Sequence, residues 1–292
     1  MKIKQFLAYS QNFLHSKELV NKLIKKSNLN IEDVVIDIGA GSGSLTFELS
    51  KSVKKVISIE MDNALSNNLK RKSNGISNII VISKNFLNFE LPTYNYKVFA
   101  NIPFNYTSRI INKLFLSDDN SPSTAYLTMQ YEAYLKFSGE KRETLISLIL
   151  KPLFSFEKIY EFNKNDFMPI PAVNVVFIKI LKHYDSLIKN YIEYRDFITY
   201  STIRGKPSIK QSLKDIFTYT QLLTLSKNLK FNLKNKPLDL TFEQWIGIYN
   251  FYVSVDFKFK RLEVKDQIEN SYGKLLKSQK YLEKRYKTNK RK

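Results

Sequence analysis

Three of the chain's eight glycines lie in one segment, Asp37-Ile38-Gly39-Ala40-Gly41-Ser42-Gly43. The segment ends an apolar run typical of a buried strand and precedes a pattern typical of a helix. Glycines at such a turn let the backbone bend sharply and approach a ligand closely. Glu60 ends the next predicted strand, where a carboxylate can accept hydrogen bonds from both hydroxyls of a ribose. The pattern predicts a nucleoside-cofactor site; the alternative is an ordinary glycine turn.

A second group, Asn101-Ile102-Pro103-Phe104, follows the predicted strand 98–100 and should face the same crevice. The amino nitrogen of adenine is a poor nucleophile because its lone pair is delocalised into the ring. The side-chain carbonyl of Asn101 and a nearby backbone carbonyl can accept both amino hydrogens and favour a tetrahedral nitrogen. Pro103 withholds an N–H, and Phe104 offers a ring for stacking on a base. A methyl sulfonium donor would supply the electrophile, so this chemistry needs no metal and no catalytic histidine.

Composition narrows the class of protein. The 292 residues carry 47 Lys and Arg against 27 Asp and Glu, a formal net charge of +20, which favours a polyanionic partner such as nucleic acid. An anionic membrane surface is the alternative. With no Cys and two His, a disulfide framework and thiolate or His-rich metal sites are excluded. We therefore expect no metal. There is also no apolar run of 18 residues, so we expect a cytoplasmic protein without a membrane anchor.

Strand-like and helix-like stretches alternate up to about residue 183, which predicts a parallel sheet covered by helices. Beyond it, 196–233 and 242–253 are predicted to be helical, with breaks at Gly205-Lys206-Pro207 and Asn235-Lys236-Pro237. We therefore predict an α/β domain over 1–182, a helical domain over 183–257 and a solvated basic tail over 258–292. That tail carries 13 Lys and Arg against 4 Asp and Glu.

At these motifs the sequence resembles the S-adenosylmethionine-dependent rRNA adenine N6-dimethyltransferases, the superfamily of the Erm resistance methylases and the KsgA housekeeping enzymes. The resemblance covers roughly residues 9 to 253. The glycine segment is shared by many methyltransferases, but its combination with Ser10-Gln11-Asn12-Phe13-Leu14, Asn101–Phe104 and Phe167-Met168-Pro169-Ile170-Pro171 is specific. The family implies a Rossmann-like methyltransferase domain followed by a small all-α RNA-binding domain.

The resemblance also implies roles for single residues. The implied catalytic residues are Asn101, Ile102, Pro103, Phe104 and Phe167. Phe104 would stack on an extruded adenine, and Phe167 would close the base from its other side. For Phe167 the alternative is an aromatic of the core. Asn85 stands where the family usually has an Asp, so we expect somewhat weaker cofactor binding. The implied cofactor-binding residues are Gln11, Asn12, Leu14, Gly39, Gly41, Gly43, Glu60, Asn85 and Asn101.

The helical domain favours the Erm type within the superfamily. Residues 203–207, 209–211 and 240–245 resemble that domain of Erm proteins, and no basic run of the KsgA kind is present. The resemblance then implies that a monomer transfers one or two methyl groups to an adenine of 23S rRNA, before full subunit assembly. S-adenosylhomocysteine would be the product, and resistance to macrolide, lincosamide and streptogramin B antibiotics the consequence.

Other functions stay open at this point. They are a KsgA-type 16S rRNA dimethyltransferase, and a non-catalytic rRNA-binding assembly or transcription factor on the same fold. A DNA adenine methyltransferase is a weaker alternative, because such enzymes typically carry an acidic residue where Asn101 stands. Six cations are candidate phosphate contacts, each of which is otherwise a solvated surface charge: Lys4, Arg109, Lys136, Arg142, Arg204 and Lys206.

Overall fold

The computed structural model describes residues 13–116, 120–184, 187–203, 207–255 and 264. The chain divides into two compact units. The first contains the described residues up to 135 together with 153–184, and the second contains 136–152 together with the described residues after 184. The sequence predicts that the α/β domain is continuous up to residue 182. The structure differs in that segment 136–152 also groups with the second unit.

The described strands of the first unit are numbered in chain order. They are β1 (Phe13–Leu14), β2 (Val34–Ile38), β3 (Lys55–Glu60), β4 (Ile79–Ser83), β5 (Lys97–Asn101), β6 (Thr124–Gln130), β7 (Phe154–Glu161), β8 (Phe167–Met168) and β9 (Val175–Lys182). Seven of them form one sheet in the order β4-β3-β2-β5-β6-β9-β7. The first five strands in this order, β4, β3, β2, β5 and β6, are parallel to their neighbours. β9 pairs antiparallel with β6 and with β7.

The antiparallel strands correct the prediction of a wholly parallel sheet. β9 was expected from its continuous apolar run, and that run carries no information on direction. β7 was not predicted, because as an edge strand it alternates buried and exposed positions irregularly and carries Glu157, Lys158 and Glu161. The central strand β2 is buried at four of its five residues, as expected for a strand covered on both faces.

The helices begin mostly where the sequence supplies a capping side chain. They are α1 (Lys17–Lys26), α2 (Ser44–Leu49), α3 (Asn63–Lys72), α4 (Thr107–Phe115), α5 (Tyr131–Ser138), α6 (Leu145–Leu150), α7 (Tyr191–Ile203), α8 (Ile209–Leu213), α9 (Tyr219–Asn228) and α10 (Phe242–Ser254). Ser16 is one such cap: its Oγ accepts from Leu19 N at 3.1 Å. The predicted helical stretch 196–233 starts earlier than expected, since α7 begins at Tyr191, and Ser208 caps α8 directly after the predicted break at 205–207. Thr218 caps α9 at a further boundary that the sequence did not predict.

Each unit has its own aromatic core. In the first unit the ring of Phe99 packs against those of Tyr126 and Phe177, with centroids 5.7 and 5.1 Å away. The second unit is built around Trp245, whose Nε1 donates to the carbonyl of Pro237 at 3.1 Å. Val264 is 1% exposed and belongs to that core, so the second unit extends past the predicted end at 257. The remainder of the predicted tail lies outside the described residues.

The short strands β1 and β8 bring two distant motifs together. They pair antiparallel, with Phe13 opposite Met168 and Leu14 opposite Phe167. This pairing places the start of the described chain beside the Phe167–Pro171 motif, a contact that the sequence did not predict. In the part of the chain that the structure describes, no helix is long and apolar enough to cross a lipid bilayer.

Candidate active site

The glycine segment forms a tight loop between β2 and α2. Gly39, Gly41 and Gly43 have φ angles of +72°, +58° and +89°, in the left-handed region that favours glycine. The N–H of Gly39 donates to the carbonyl of Ile59 at 2.8 Å, which fastens the loop to the end of β3. The predicted turn is therefore present, and its backbone conformation requires glycine.

Two of these glycines also make room for neighbouring side chains. A Cβ on Gly41 would lie 2.9 Å from Cε1 of Phe13, and a Cβ on Gly43 would lie 2.4 Å from Cδ1 of Leu69. Both distances are shorter than an ordinary van der Waals contact. The ring of Phe13 therefore rests directly on the loop, and β1 covers it.

Glu60 is held in place at the carboxyl end of β3, where it is 3% exposed. Its Oε2 accepts from Gly41 N, and its Oε1 accepts from Asp62 N, each at 2.8 Å. A carboxylate oxygen has two lone pairs, so each oxygen keeps one acceptor position. Two backbone amides thus orient a carboxylate that can still accept from the two hydroxyls of a ribose.

A small pocket of about 60 Å³, open at its mouth, lies beside Glu60. Small-molecule sites are typically apolar with a few polar groups, and the lining of this pocket has that character. The pocket brings together four residues predicted from sequence: Gly39, Glu60, Asn85 and Pro103. Its other lining side chains are mainly apolar: Ile38, Ile59, Met61, Phe86, Leu87, Tyr106 and Ile110, with Lys84.

Met61 and Tyr106 were missed by sequence reasoning, although their positions gave a signal. Met61 directly follows Glu60 at a strand end, and Tyr106 comes two residues after Phe104. Asn85 caps a short 3₁₀ turn, Phe86–Asn88, and its Oδ1 accepts from Leu87 N at 2.9 Å. That bond orients the amide and leaves one lone pair of Oδ1 for a ligand.

The segment 101–104, predicted to be catalytic, starts at Asn101, the last residue of β5. Ile102 is buried and anchors the loop. Pro103 lies beside the glycine loop: a Cβ added to Gly39 would be 3.7 Å from Cδ of Pro103. Phe104 is half-buried and begins a 3₁₀ turn that is closed by a 2.9 Å bond from Tyr106 N to Pro103 O. The two predicted loops are therefore in contact at the carboxyl edge of the sheet.

Phe167 lies in the core of the first unit, where its exposed fraction is 1%. Its ring packs edge-on against Phe162, with centroids 4.9 Å apart. The core alternative weighed in the sequence analysis describes this position, and the ring offers no free face to a base in this conformation. Leu14, opposite it in β1, is buried in the same core.

Asp37 is a buried carboxyl beneath the glycine loop that the sequence analysis left without a role. Its Oδ2 accepts from the Thr46 hydroxyl at 2.7 Å, and the Thr46 oxygen lies 2.9 Å from that of Ser58. Burial raises the pKa of Asp37 to about 7, the Thr46 hydrogen bond opposes this rise, and the charge of Glu60 adds to it.

The predicted phosphate contacts are only partly described. Arg142 pairs with Asp239 at 2.6 Å within the second unit, which gives it a structural partner. Lys136 is exposed, and the guanidinium carbon of Arg109 lies 5.6 Å from the ring centroid of Tyr106. Among the described residues no cluster of His, Asp and Glu could hold a metal ion. Gln11, Asn12, Lys4, Arg204 and Lys206 lie outside the described residues.

Comparisons with known proteins point to one family. A family model described as ribosomal RNA adenine dimethylase matches residues 3–253. An rRNA adenine N-6-methyltransferase of Bacteroides fragilis is 30% identical over 240 residues, 82% of this chain and 90% of that protein. A protein of the same name from Escherichia coli is 31% identical over 248 residues, 85% of this chain and 96% of that protein.

Solved structures support the fold. The 23S rRNA methyltransferase ErmE matches with a TM-score of 0.75 at 23% identity, over 82% of this chain and 98% of that one. A dimethyladenosine transferase from Plasmodium falciparum matches with a TM-score of 0.68 at 21% identity, over 83% of this chain and 98% of that one. At these identities the likeness concerns the fold alone, and it confirms the predicted Rossmann-like α/β class.

Proposed function

The chain belongs to the ribosomal RNA adenine dimethylase family, and we propose that it transfers one or two methyl groups from S-adenosylmethionine to the N6 amine of an adenine in 23S rRNA. The observation that carries the proposal is the contact between the glycine loop and the Asn101–Phe104 loop, with Glu60 buried beside them. The names of the Bacteroides and Escherichia relatives support an rRNA adenine as the target. The net charge of +20 suits an RNA partner.

The described residues fit the proposed cofactor. Glu60 has one acceptor position left on each oxygen for the ribose hydroxyls, and Met61 and Phe86 provide apolar walls for an adenine ring. Gly39 lines the pocket with backbone alone, and Pro103 lies beside it. Gln11 and Asn12 are proposed to contribute from the segment before β1. Asn85 is proposed to accept from the amine of the cofactor's adenine.

The bound cofactor would supply an electrophilic methyl group. Asn101 would accept a hydrogen bond from the target amine through its side-chain carbonyl, and the backbone carbonyl of Pro103 or Ile102 would accept the second. Together these acceptors would direct the nitrogen lone pair out of the ring plane. Phe104, half-buried at the edge of the pocket, would stack on the base. Phe167 would support this wall from the core, and direct stacking by it would require β1 and β8 to move.

The choice of 23S rRNA rests on the resemblance of the second unit's sequence to the helical domain of Erm proteins. The proposal therefore includes a monomer in the cytoplasm that acts before full subunit assembly and confers macrolide, lincosamide and streptogramin B resistance. In this scheme the second unit binds RNA, with Lys136, Arg204 and Lys206 among its candidate phosphate contacts. Arg109 and Lys4 are the corresponding candidates in the first unit.

The test is transfer of label from S-adenosylmethionine to naked 23S rRNA, 16S rRNA, assembled subunits and duplex DNA. We expect label on naked 23S rRNA and on none of the others, with Asn101→Ala as the inactive control. Label on 16S rRNA alone would show the KsgA-type activity instead. Absence of label from every substrate, with RNA binding intact, would favour the non-catalytic binding factor.

A further inference from the structure

The end of β8 and the loop that follows it expose two apolar side chains to solvent. Met168 is 65% exposed and Ile170 is 61% exposed, whereas the neighbouring Phe167 is 1% exposed. Successive residues of a strand point to opposite faces, so the core contact of Phe167 fixes Met168 on the outer side. The loop therefore presents an apolar tip whose direction is set by the core beneath it.

This tip lies at the edge of the candidate active site. Met168 is opposite Phe13 in the β1–β8 pair, and the Phe13 ring rests on Gly41. Gly41 in turn donates its N–H to Glu60. Met168 is thus paired with the strand whose Phe13 ring covers the glycine loop, near the carboxylate proposed to hold the cofactor.

A hydrogen bond closes the base of the loop. Lys164 Nζ donates to the carbonyl of Ala172 at 3.1 Å, which joins the residues before and after the tip. Pro169 and Pro171 flank Ile170, and each proline fixes its own φ angle. Little conformational freedom remains to be lost when this tip meets a partner.

We propose that Met168 and Ile170 form an apolar wedge that enters the base stack of the RNA at the position the target adenine leaves. This proposal rests on the proposed function. An enzyme that acts on a base must take it out of the stack, and proteins that open a stack insert side chains such as Met, Ile and Pro between bases. RNA is the occupant that the position favours, because an adenine that reaches Phe104 brings its flanking bases to the edge of the pocket.

The test compares two RNA hairpins that carry 2-aminopurine or adenine at the target position. In one hairpin the target is paired, and in the other it is bulged. The variant combines Met168→Ala with Ile170→Ala. The control is Ile31→Ala, since Ile31 is also 65% exposed but precedes β2, at the opposite edge of the sheet.

We expect the double variant to lose most of the 2-aminopurine fluorescence increase on the paired hairpin. Its kcat/KM for the paired relative to the bulged hairpin should fall about tenfold. Ile31→Ala should match the wild type, and Met168→Leu with Ile170→Leu should restore the ratio. An equal loss on both hairpins, or no loss of fluorescence, would overturn the wedge. Absence of methylation by the wild type would contradict the proposed function instead, and the fluorescence would still decide the wedge.

Discussion

Asn101 and Glu60 end two strands that flank β2 in the sheet, and each is fixed by its strand rather than by a mobile loop. Glu60 receives two backbone N–H bonds, so its carboxylate is already oriented before a ligand binds. In the proposed scheme Glu60 serves cofactor binding alone, whereas Asn101 also contacts the target amine. Substitutions at the two positions should separate these functions.

We predict that Asn101→Ala abolishes methyl transfer while leaving RNA affinity nearly unchanged. Alanine removes the carbonyl acceptor proposed to activate the amine, but it removes no cation that binds phosphate. Single-turnover transfer and an equilibrium RNA-binding titration measure the two effects. Activity within a few-fold of the wild type would exclude Asn101 from the proposed role.

Asp37 gives a prediction about stability and pH. Its pKa is raised to about 7 in the folded chain, against about 3.9 in an unfolded one, so the folded chain binds the extra proton between these values. The contribution of Asp37 to the free energy of unfolding is therefore fully present below about pH 4, falls as the pH rises to about 7, and is constant above. The loss is on the order of 4 kcal/mol at most.

Asp37→Asn should remove this fall, because an amide accepts the Thr46 hydrogen bond without titrating. Urea unfolding of both proteins at pH 5 and pH 8 measures the difference. Equal changes of unfolding free energy with pH in the two proteins would contradict the assignment to Asp37.

At the scale of elements, the contact of Gly41 with Phe13 connects the glycine loop with β1. Gly41→Ala should cost about 1–2 kcal/mol of unfolding free energy from its left-handed φ, and should also weaken cofactor binding because the new Cβ displaces the Phe13 ring. Gly75→Ala is the matched control: its φ is +86°, but no atom lies within 4 Å of the added Cβ.

Denaturant unfolding and calorimetric cofactor titration distinguish the two effects. Both variants should lose similar stability, and only Gly41→Ala should lose affinity. Equal affinities in the two variants would show that the Phe13 contact has no part in binding.

Elements with strong local signals were predicted well from the sequence, and those fixed by distant contacts were not. β2 and α3 form where a buried apolar run and a regular helical pattern, both local properties, predict a strand and a helix. β1 and β8 have only two residues each and exist through their pairing. The same reason explains Phe167, whose motif predicts a contact with a base whereas its core position depends on Phe162.

On the scale of the whole molecule, the basic segment 274–292 begins after Val264, a residue that belongs to the core of the second unit. Removal of 274–292 deletes nine cations and one carboxylate, which lowers the formal net charge from +20 to +12. Removal of 258–292 also deletes Val264, which is buried in the core of the second unit.

A chain ending at 273 should unfold like the full chain but bind RNA more weakly and with less dependence on salt, since fewer counterions are released. A chain ending at 257 should lose about 1.5–3 kcal/mol of stability with the buried side chain. Thermal unfolding and RNA binding at several salt concentrations test both. Equal stability of the two truncated chains would contradict the role of Val264, and methylation should persist at saturating RNA in the longer one.

The pairing of β1 with β8 also sets an order of events during synthesis. Leu14 and Phe167 are opposite each other although 153 positions separate them. At translation rates of about 5–20 residues per second, on the order of 8–30 s pass between their incorporation. The glycine loop, Glu60 and Asn101 are all made in that interval, before the strand that pairs with β1. The growing chain thus fixes the strand that covers its glycine loop late, when most of the first unit has already been synthesised.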